Sequence, residues 1–263
     1  MLTTTTSAYL LVSHGSRDPR PKSAMGELGW QISKKISKPV WNYFPEELGK
    51  KSSQVLTMGT NRRDFVGIAY LELVTKPLHQ QIINFARLAN DNGCDRIQIL
   101  PLFLLEGVHL KEDIPSEVAL AQKLLGKKIT LDVRPHLGSH FGLQEMIAKK
   151  ITNKSSTKII VSHGSRRRNA NVQLEVMAEN LGAAIAYTSI SPNLESLVLD
   201  CVTTGSQAIA IVPYFLFPGN ITDTIAQTVE KLTLQFPAVS FQLTEPIGAS
   251  TELAELIWDL VEK

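Results

Sequence analysis

The chain has 263 residues, of which 43% are hydrophobic and 20% are charged, and its formal net charge is +2. This composition is that of a globular protein with room for one large domain or two modest ones, and the balanced charge gives no bulk attraction to nucleic acid. No segment approaches the length of a membrane span, and the Thr-rich start lacks the basic and apolar regions of a signal peptide. We therefore expect a cytoplasmic protein that binds neither nucleic acid nor membranes.

The first half predicts alternating strands and helices. Short apolar runs are predicted strands, and segments with helical periodicity lie between them. The strands are apolar almost throughout, which is typical of a parallel sheet covered on both faces. The predicted strands are Ala8–Ser13, Phe65–Tyr70, Arg96–Phe103 and Ile129–Val133, and the predicted helices are Pro21–Ile36, Lys76–Asn92, Ile114–Leu125 and Gly142–Ile151.

The second half repeats the first. The segment LVSHGSR at 11–17 returns as IVSHGSR at 160–166, and PLFL at 101–104 returns as PYFL at 213–216. The predicted strands of the second half are Lys158–Val161, Ala183–Tyr187, Ala208–Phe215 and Val239–Leu243. The predicted fold class is therefore α/β, with two similar domains, each a parallel sheet of about four strands flanked by helices. These domains are residues 1–152 and 157–263, and a short polar segment joins them.

The first half carries an extra segment at about 38–64, between its first helix and its second strand. A long irregular connection in a compact domain is usually functional or disordered. Aromatic residues interleaved with cations would suit a lid over a large, flat, anionic ligand, and an insertion that only packs on the surface is the alternative. The residues concerned are Trp41, Tyr43, Phe44, Lys50, Lys51, Arg62 and Arg63.

Three candidate site residues follow three different predicted strands. His14 follows the first strand, Glu72 the second and His109 the third. Because ligands bind at the carboxyl ends of parallel strands, we expect these side chains at one edge of one sheet. Imidazole nitrogens bind divalent first-row metals, and a carboxylate can bind a metal or accept a proton. A structural reading stays open, since His14 could be a turn residue and Glu72 could serve a helix start.

The repeat helps to separate folding from chemistry. The apolar scaffold of the first half persists in the second, but Tyr-Leu-Glu at 70–72 is matched by Tyr-Thr-Ser at 187–189, and His109 is matched by Ile221. His163 remains as the counterpart of His14. A residue needed only for folding should survive in both copies. We therefore predict one working site in the first half and a degenerate site in the second.

Three motifs together resemble the sirohydrochlorin chelatases of the CbiX and SirB type. They are SHGSRDP at 13–19, AYLE at 69–72 and PLFLLEGVHLKEDIP at 101–115. The resemblance covers the chain apart from the insertion, and it implies a two-domain class II chelatase with a flavodoxin-related fold. It also implies that His14 and His109 handle the metal and that Glu72 is the acidic residue of catalysis.

The resemblance further implies the reaction, which is insertion of Co²⁺ or Fe²⁺ into sirohydrochlorin in cobalamin or sirohaem biosynthesis. Nickel is a further candidate metal. Neither ATP nor an organic cofactor is implied, and the chain has no Walker-type glycine-lysine loop. Metal insertion removes two protons from pyrrole nitrogens while the dication loses its waters, so bases of near-neutral pKa and exchangeable ligands suit it.

Sirohydrochlorin carries many peripheral carboxylates, so cations near the site are candidate substrate-binding residues. They are Arg17, Arg20, Lys111, Arg62 and Arg63. The fused halves predict a monomer, because they can supply the pairing that single-domain relatives obtain by dimerising. Two other functions stay open. A non-catalytic tetrapyrrole or metal carrier would use the same cleft, whereas a histidine phosphatase normally needs Arg at the position of Ser13.

Overall fold

The structure is a computed structural model that describes residues 7–36, 40–41, 65–151, 157–167 and 169–262. Most of the insertion at 38–64, including Arg62 and Arg63, lies outside the described residues, so the hypothesis of a lid there stays a prediction. The chain divides into two compact units, each built around a parallel sheet. No helix within the described ranges combines the length and the apolar character needed to cross a bilayer.

The first unit contains a five-stranded parallel sheet in the spatial order β2-β3-β1-β4-β5. The strand β1 lies between β3 and β4, with Ser13 opposite Tyr70 and Val12 opposite Pro101. The chain therefore moves from β1 to one side and then returns across it to the other. Such a change of direction opens a crevice at the carboxyl end of the central strand. The strands are β1 Ser7–Ser13, β2 Val40–Trp41, β3 Phe65–Tyr70, β4 Arg96–Pro101 and β5 Thr130–Val133.

Helices cover both faces of this sheet. Ala8, Leu10 and Val12 of β1 lie in one core cluster with residues of α2 and α3. Tyr9 points to the opposite face because side chains alternate along a strand. There its ring contacts Trp258 of α8, with centroids 5.2 Å apart, and α8 also packs against α1. Burial on both faces explains why β1 is a continuous apolar run. The helices are α1 Pro19–Ser33, α2 Leu78–Asp91, α3 Ile114–Leu125 and α8 Thr251–Glu262.

The second unit repeats this arrangement with a four-stranded parallel sheet in the order β7-β6-β8-β9. This order corresponds to β3-β1-β4-β5 of the first unit, so the predicted fold class of two similar α/β domains is confirmed. The two-residue β2 is the additional edge strand of the first sheet. The strands are β6 Thr157–Ser162, β7 Ala183–Tyr187, β8 Ala208–Pro213 and β9 Ser240–Leu243, and the helices are α4 Gly142–Lys149, α5 Val172–Leu181, α6 Leu194–Thr203 and α7 Asn220–Gln235.

The two compact units divide the chain differently from the two sequence repeats at 1–152 and 157–263. The first unit consists of Met1–His140 with Ala249–Lys263, and the second is Phe141–Gly248. The last helix of the first repeat, α4, packs with α5 in the second unit, and the last helix of the second repeat, α8, packs with α1 in the first. Each compact unit therefore contains the terminal helix of the other repeat.

Candidate metal centre

The loops after β1, β3 and β4 bring His14, Glu72 and His109 together at the carboxyl edge of the first sheet. One ligand atom from each residue lies within 4.8 Å of those of the other two. The His14 and His109 rings have centroids 5.0 Å apart, and His14 Nε2 lies 3.7 Å from Glu72 Oε2. Donors on one first-row metal ion lie roughly 3 to 4 Å apart. Small side-chain rotations would therefore allow all three to bind one ion.

These side chains are accessible from solvent. The side-chain exposure is 50% for His14, 49% for Glu72 and 29% for His109. A metal ion and a larger ligand can therefore approach the same group of atoms. Exposure also favours exchange, because a fully enclosed centre of protein ligands would retain its ion. The arrangement is chemically suited to receiving and releasing a divalent metal.

Backbone contacts hold the Glu72 loop against the loop of His14. The amide of Leu71 donates to the carbonyl of Ser13, and the amide of Glu72 donates to the carbonyl of His14, both at 2.9 Å. Gly15 has a φ of +102°, and a Cβ at this position would overlap the carbonyl oxygen of Glu72. Only glycine permits both this conformation and this close approach. The glycine of the SHG motif thus allows Glu72 to reach His14.

His109 begins a single π-helical turn, His109–Asp113, that leads directly into α3. Such turns are rare and frequently occur at functional sites. The Nδ1 atom of His109 lies 2.7 Å from Oδ2 of Asp113, and the Phe103 ring lies 6.0 Å from the His109 ring. Asp113 is absent from the residues predicted from the sequence. The signal that could have found it is its spacing of four residues from His109 on a helical segment.

The predicted substrate-binding cations fall into three groups. Arg17 is exposed in the His14 loop. Arg20 and Lys111 have acidic neighbours, since Arg20 Nη2 lies 2.6 Å from Asp18 Oδ2 and Lys111 Nζ lies 3.2 Å from Glu106 Oε2. Hydrogen bonds from Arg20 hold the pKa of Asp18 below its usual value. Arg20 and Lys111 would have to exchange these contacts to bind a substrate carboxylate. The remaining two, Arg62 and Arg63, are outside the described residues.

The second unit reproduces the backbone framework with different side chains. The amide of Thr188 donates to the carbonyl of Ser162 at 2.9 Å, and that of Ser189 donates to the carbonyl of His163 at 3.0 Å. Ser189 therefore stands where Glu72 stands in the first unit. His163 Nδ1 lies 3.1 Å from the hydroxyl oxygen of Thr188. Within the described ranges, the group around His14 is the one set of three potential ligands with metal-binding spacing.

Curated relatives of this chain carry the names of chelatases. A chloroplastic sirohydrochlorin ferrochelatase of Arabidopsis thaliana is 28% identical over 131 residues, which cover 46% of this chain and 58% of the relative. A sirohydrochlorin ferrochelatase of Priestia megaterium is 26% identical over 72% of this chain and 74% of its own length. A sirohydrochlorin cobaltochelatase of the same organism is 22% identical over 65% of this chain and 61% of its own length.

A solved structure and a family model also match this chain. The structure of SirB from Bacillus subtilis with Fe³⁺ matches with a TM-score of 0.75 and 19% identity, over 98% of this chain and 95% of that chain. This likeness shows a shared fold. The CbiX family model matches residues 8–154 and again residues 157–263. Since the two matches cover nearly the whole chain, one for each repeat, the chain belongs to the CbiX family.

Proposed function

We propose that this protein is an enzyme that inserts a divalent metal, Co²⁺ or Fe²⁺, into sirohydrochlorin. The observation that carries the proposal is the grouping of His14, Glu72 and His109, with ligand atoms within 4.8 Å of one another at a solvent-accessible sheet edge. The choice of sirohydrochlorin, iron and cobalt as substrates is based on the relatives that are named sirohydrochlorin ferrochelatase and sirohydrochlorin cobaltochelatase. Nickel is a third candidate substrate, since imidazole nitrogen binds it as well.

In the proposed reaction, His14 and His109 hold the incoming ion through imidazole nitrogen lone pairs. The macrocycle loses two pyrrole protons as its nitrogens form bonds to the metal, and the bonds from the histidines to the metal break. Glu72, whose carboxylate lies 3.7 Å from His14, accepts one proton, and a histidine freed of the metal accepts the other. The dication replaces two protons, so charge balances without a redox partner. We also propose that the reaction needs no ATP, since the sequence contains no Walker-type glycine-lysine loop.

The surroundings of the three residues suit a large, flat, anionic substrate. The Phe103 ring beside His109 offers an aromatic surface to a macrocycle. Arg17 in the His14 loop is exposed and can pair with a peripheral carboxylate. Arg20 and Lys111 can contribute by exchanging Asp18 and Glu106 for carboxylates of the substrate. We assign these cations to binding of sirohydrochlorin and not to metal transfer.

An anaerobic insertion assay tests the proposal. Purified protein is mixed with sirohydrochlorin and with Fe²⁺, Co²⁺ or Ni²⁺ in turn, and the change in the absorption spectrum is followed. We expect at least one metal to be inserted much faster than in the absence of protein. Tight binding of sirohydrochlorin without faster insertion of any of the metals would overturn the proposed enzymatic activity. That result would identify the protein as a carrier. The ranking of the rates would identify the preferred metal.

A further inference from the structure

We infer that Asp113 is a positioning residue for His109, which fixes the tautomer and orientation of its ring. This inference rests on the proposed function, because it assigns a role in presenting His109 to the metal. Oδ2 of Asp113 lies 2.7 Å from Nδ1 of His109. An ionised carboxylate can only accept a hydrogen bond, so Nδ1 must carry the proton. The lone pair of the ring then resides on Nε2, the nitrogen left for the metal.

The local backbone explains why this pair forms. His109 and Asp113 are the first and last residues of the π-helical turn, which closes with a hydrogen bond from the amide of Ile114 to the carbonyl of His109. Residues four apart on a helical segment are neighbours on its surface. One short segment therefore supplies both the candidate ligand and the acceptor that orients it.

The contribution of this pair to stability is expected to be small. The side chain of Asp113 is 45% exposed and that of His109 is 29% exposed. Pairs at such accessible positions are screened by water and typically contribute little to the stability of a fold. An orienting role is different, because it depends on the direction of the hydrogen bond and not on the stability it adds to the fold.

The second repeat supports an orienting role, because it lacks both members of the pair. The helices that follow align by their core residues, because Ile114 and Val118 of α3 and Ile225 and Val229 of α7 are buried in the corresponding core clusters. Asp113 therefore corresponds to Thr224. Thr224 is exposed, and its hydroxyl group donates to the carbonyl of Asn220 in its own helix. The carboxylate of Asp113 thus occurs only in the repeat that also contains His109. This pattern supports the inference that Asp113 orients His109.

The direct test is the tautomer of His109 in the metal-free, full-length protein. Long-range ¹⁵N–¹H correlation spectra distinguish the two ring nitrogens. We expect the Nδ1–H form in the wild type. Asp113→Ala should shift the ring toward the Nε2–H form. Asp113→Asn should largely retain the Nδ1–H form, since the amide oxygen can still accept the hydrogen bond. An Nε2–H ring in the wild-type protein would overturn the inference.

Affinity for Co²⁺ alone, measured by titration of its visible absorption bands, gives a second readout. Loss of the acceptor that orients a metal-binding histidine typically lowers metal affinity by about 10- to 100-fold. We expect a loss of this size for Asp113→Ala and a smaller loss for Asp113→Asn. Wild-type affinity in the Ala variant would contradict the role of Asp113.

The chain offers a matched control in a second histidine-carboxylate pair. Nδ1 of His79 lies 2.9 Å from Oε2 of Glu117, whose carboxylate also accepts from the backbone amide of His79. Glu117→Ala should change the tautomer of His79 and lower the melting temperature, while Co²⁺ affinity stays within about twofold of wild type. An equal loss of affinity in both Ala variants would assign the effect of Asp113 to general destabilisation.

Failure of this inference can be distinguished from failure of the proposed function. If the wild-type protein binds Co²⁺ but inserts no metal into sirohydrochlorin, the proposed chelatase activity is overturned. The tautomer of His109 and the affinity for Co²⁺ still test the role of Asp113 in that case. If the wild type inserts metal and Asp113→Ala matches it in tautomer and Co²⁺ affinity, only the role of Asp113 is overturned.

Discussion

His14 and His163 occupy the same place in the two repeats, yet their chemical surroundings differ. Both follow a central strand, and both accept a backbone hydrogen bond from the neighbouring loop through their carbonyl oxygens. The imidazole of His14 lies near Glu72 and His109, whereas that of His163 contacts the hydroxyl group of Thr188. The SHGSR motif that the repeats share therefore accounts for the common backbone conformation. The proposed role of His14 depends on the side chains that other loops place beside it.

This difference predicts unequal effects of histidine substitution. His14→Ala and His109→Ala should each reduce the rate of metal insertion by about 100-fold or more, because each removes a ligand and a potential proton acceptor. His163→Ala is the matched control and should retain most of the activity. The measurement is the initial rate of insertion at saturating metal. A comparable loss at His163 would contradict the prediction of a single working site.

Gly15 gives a prediction about the backbone of the site. Gly15→Ala places a side chain at a φ of +102° and against the carbonyl oxygen of Glu72. Gly126→Ala is the control, because Gly126 also has a positive φ, +68°, but a Cβ there meets nothing within 4 Å. The control should lower the free energy of unfolding by about 1 to 3 kcal/mol, because Gly126 has a ψ of −142° and a non-glycine residue rarely adopts this backbone conformation.

Gly15→Ala should lower the free energy of unfolding by more than the control does, and it should also weaken Co²⁺ binding by separating Glu72 from His14. Urea denaturation and cobalt titration measure the two effects. Equal destabilisation by the two substitutions, with cobalt affinity unchanged, would show that the close approach of Glu72 to Gly15 is not required.

At the scale of elements, α8 links the stability of the first unit to the end of the chain. Leu253, Ala254 and Ile257 are 0% exposed, and the guanidinium group of Arg134 donates to the carbonyls of Leu260 and Val261 at 3.1 Å. The helix buries its apolar side on the unit that contains His14, Glu72 and His109. The structure that supports the candidate site is therefore completed by residues far away in the sequence.

Ile257→Ala tests this dependence. Truncation of a fully buried isoleucine should lower the free energy of unfolding by about 2 to 5 kcal/mol. Leu234→Ala on α7 is the control, since Leu234 is 83% exposed and surface substitutions usually change stability by less than about 0.5 kcal/mol. Urea denaturation measures both variants. A loss below 1 kcal/mol for Ile257→Ala would argue against the packing of α8 in the first unit.

The boundaries of elements show where the sequence pattern is weak. The helix predicted from Pro21 begins at Pro19, because the carboxylate of Asp18 accepts from the amide of Arg20 and caps the helix. The strand predicted to reach Phe103 ends at Pro101. Periodicity identifies the central part of an element, whereas its ends depend on individual hydrogen bonds.

At the scale of the whole molecule, the matching strand orders of the two sheets lead us to propose that the protein is a monomer. Two units of one fold are already present in a single chain. Light scattering coupled to size-exclusion chromatography should give the mass of one chain across a range of protein concentrations. A stable mass of two chains would contradict this proposal.

The sequence by itself determined the class of fold and the edge of the sheet at which the candidate residues lie. Hydrophobic periodicity reports which side chains of a segment face the core, and the repeat reports that the arrangement occurs twice. His14, Glu72 and His109 could be predicted to share an edge because each follows a strand of one parallel sheet.

Only the tertiary structure decided which side chains contact each other and which unit each helix packs in. The amphipathic patterns of α4 and α8 show that each helix has an apolar face, but not that each packs in the unit of the other repeat. In the same way, the sequence identifies Arg20 and Lys111 as candidate cations and does not identify Asp113, and only the structure shows their charged neighbours at 2.6, 3.2 and 2.7 Å. Local patterns encode the direction a residue faces, whereas partner choice depends on geometry that the folded chain alone establishes.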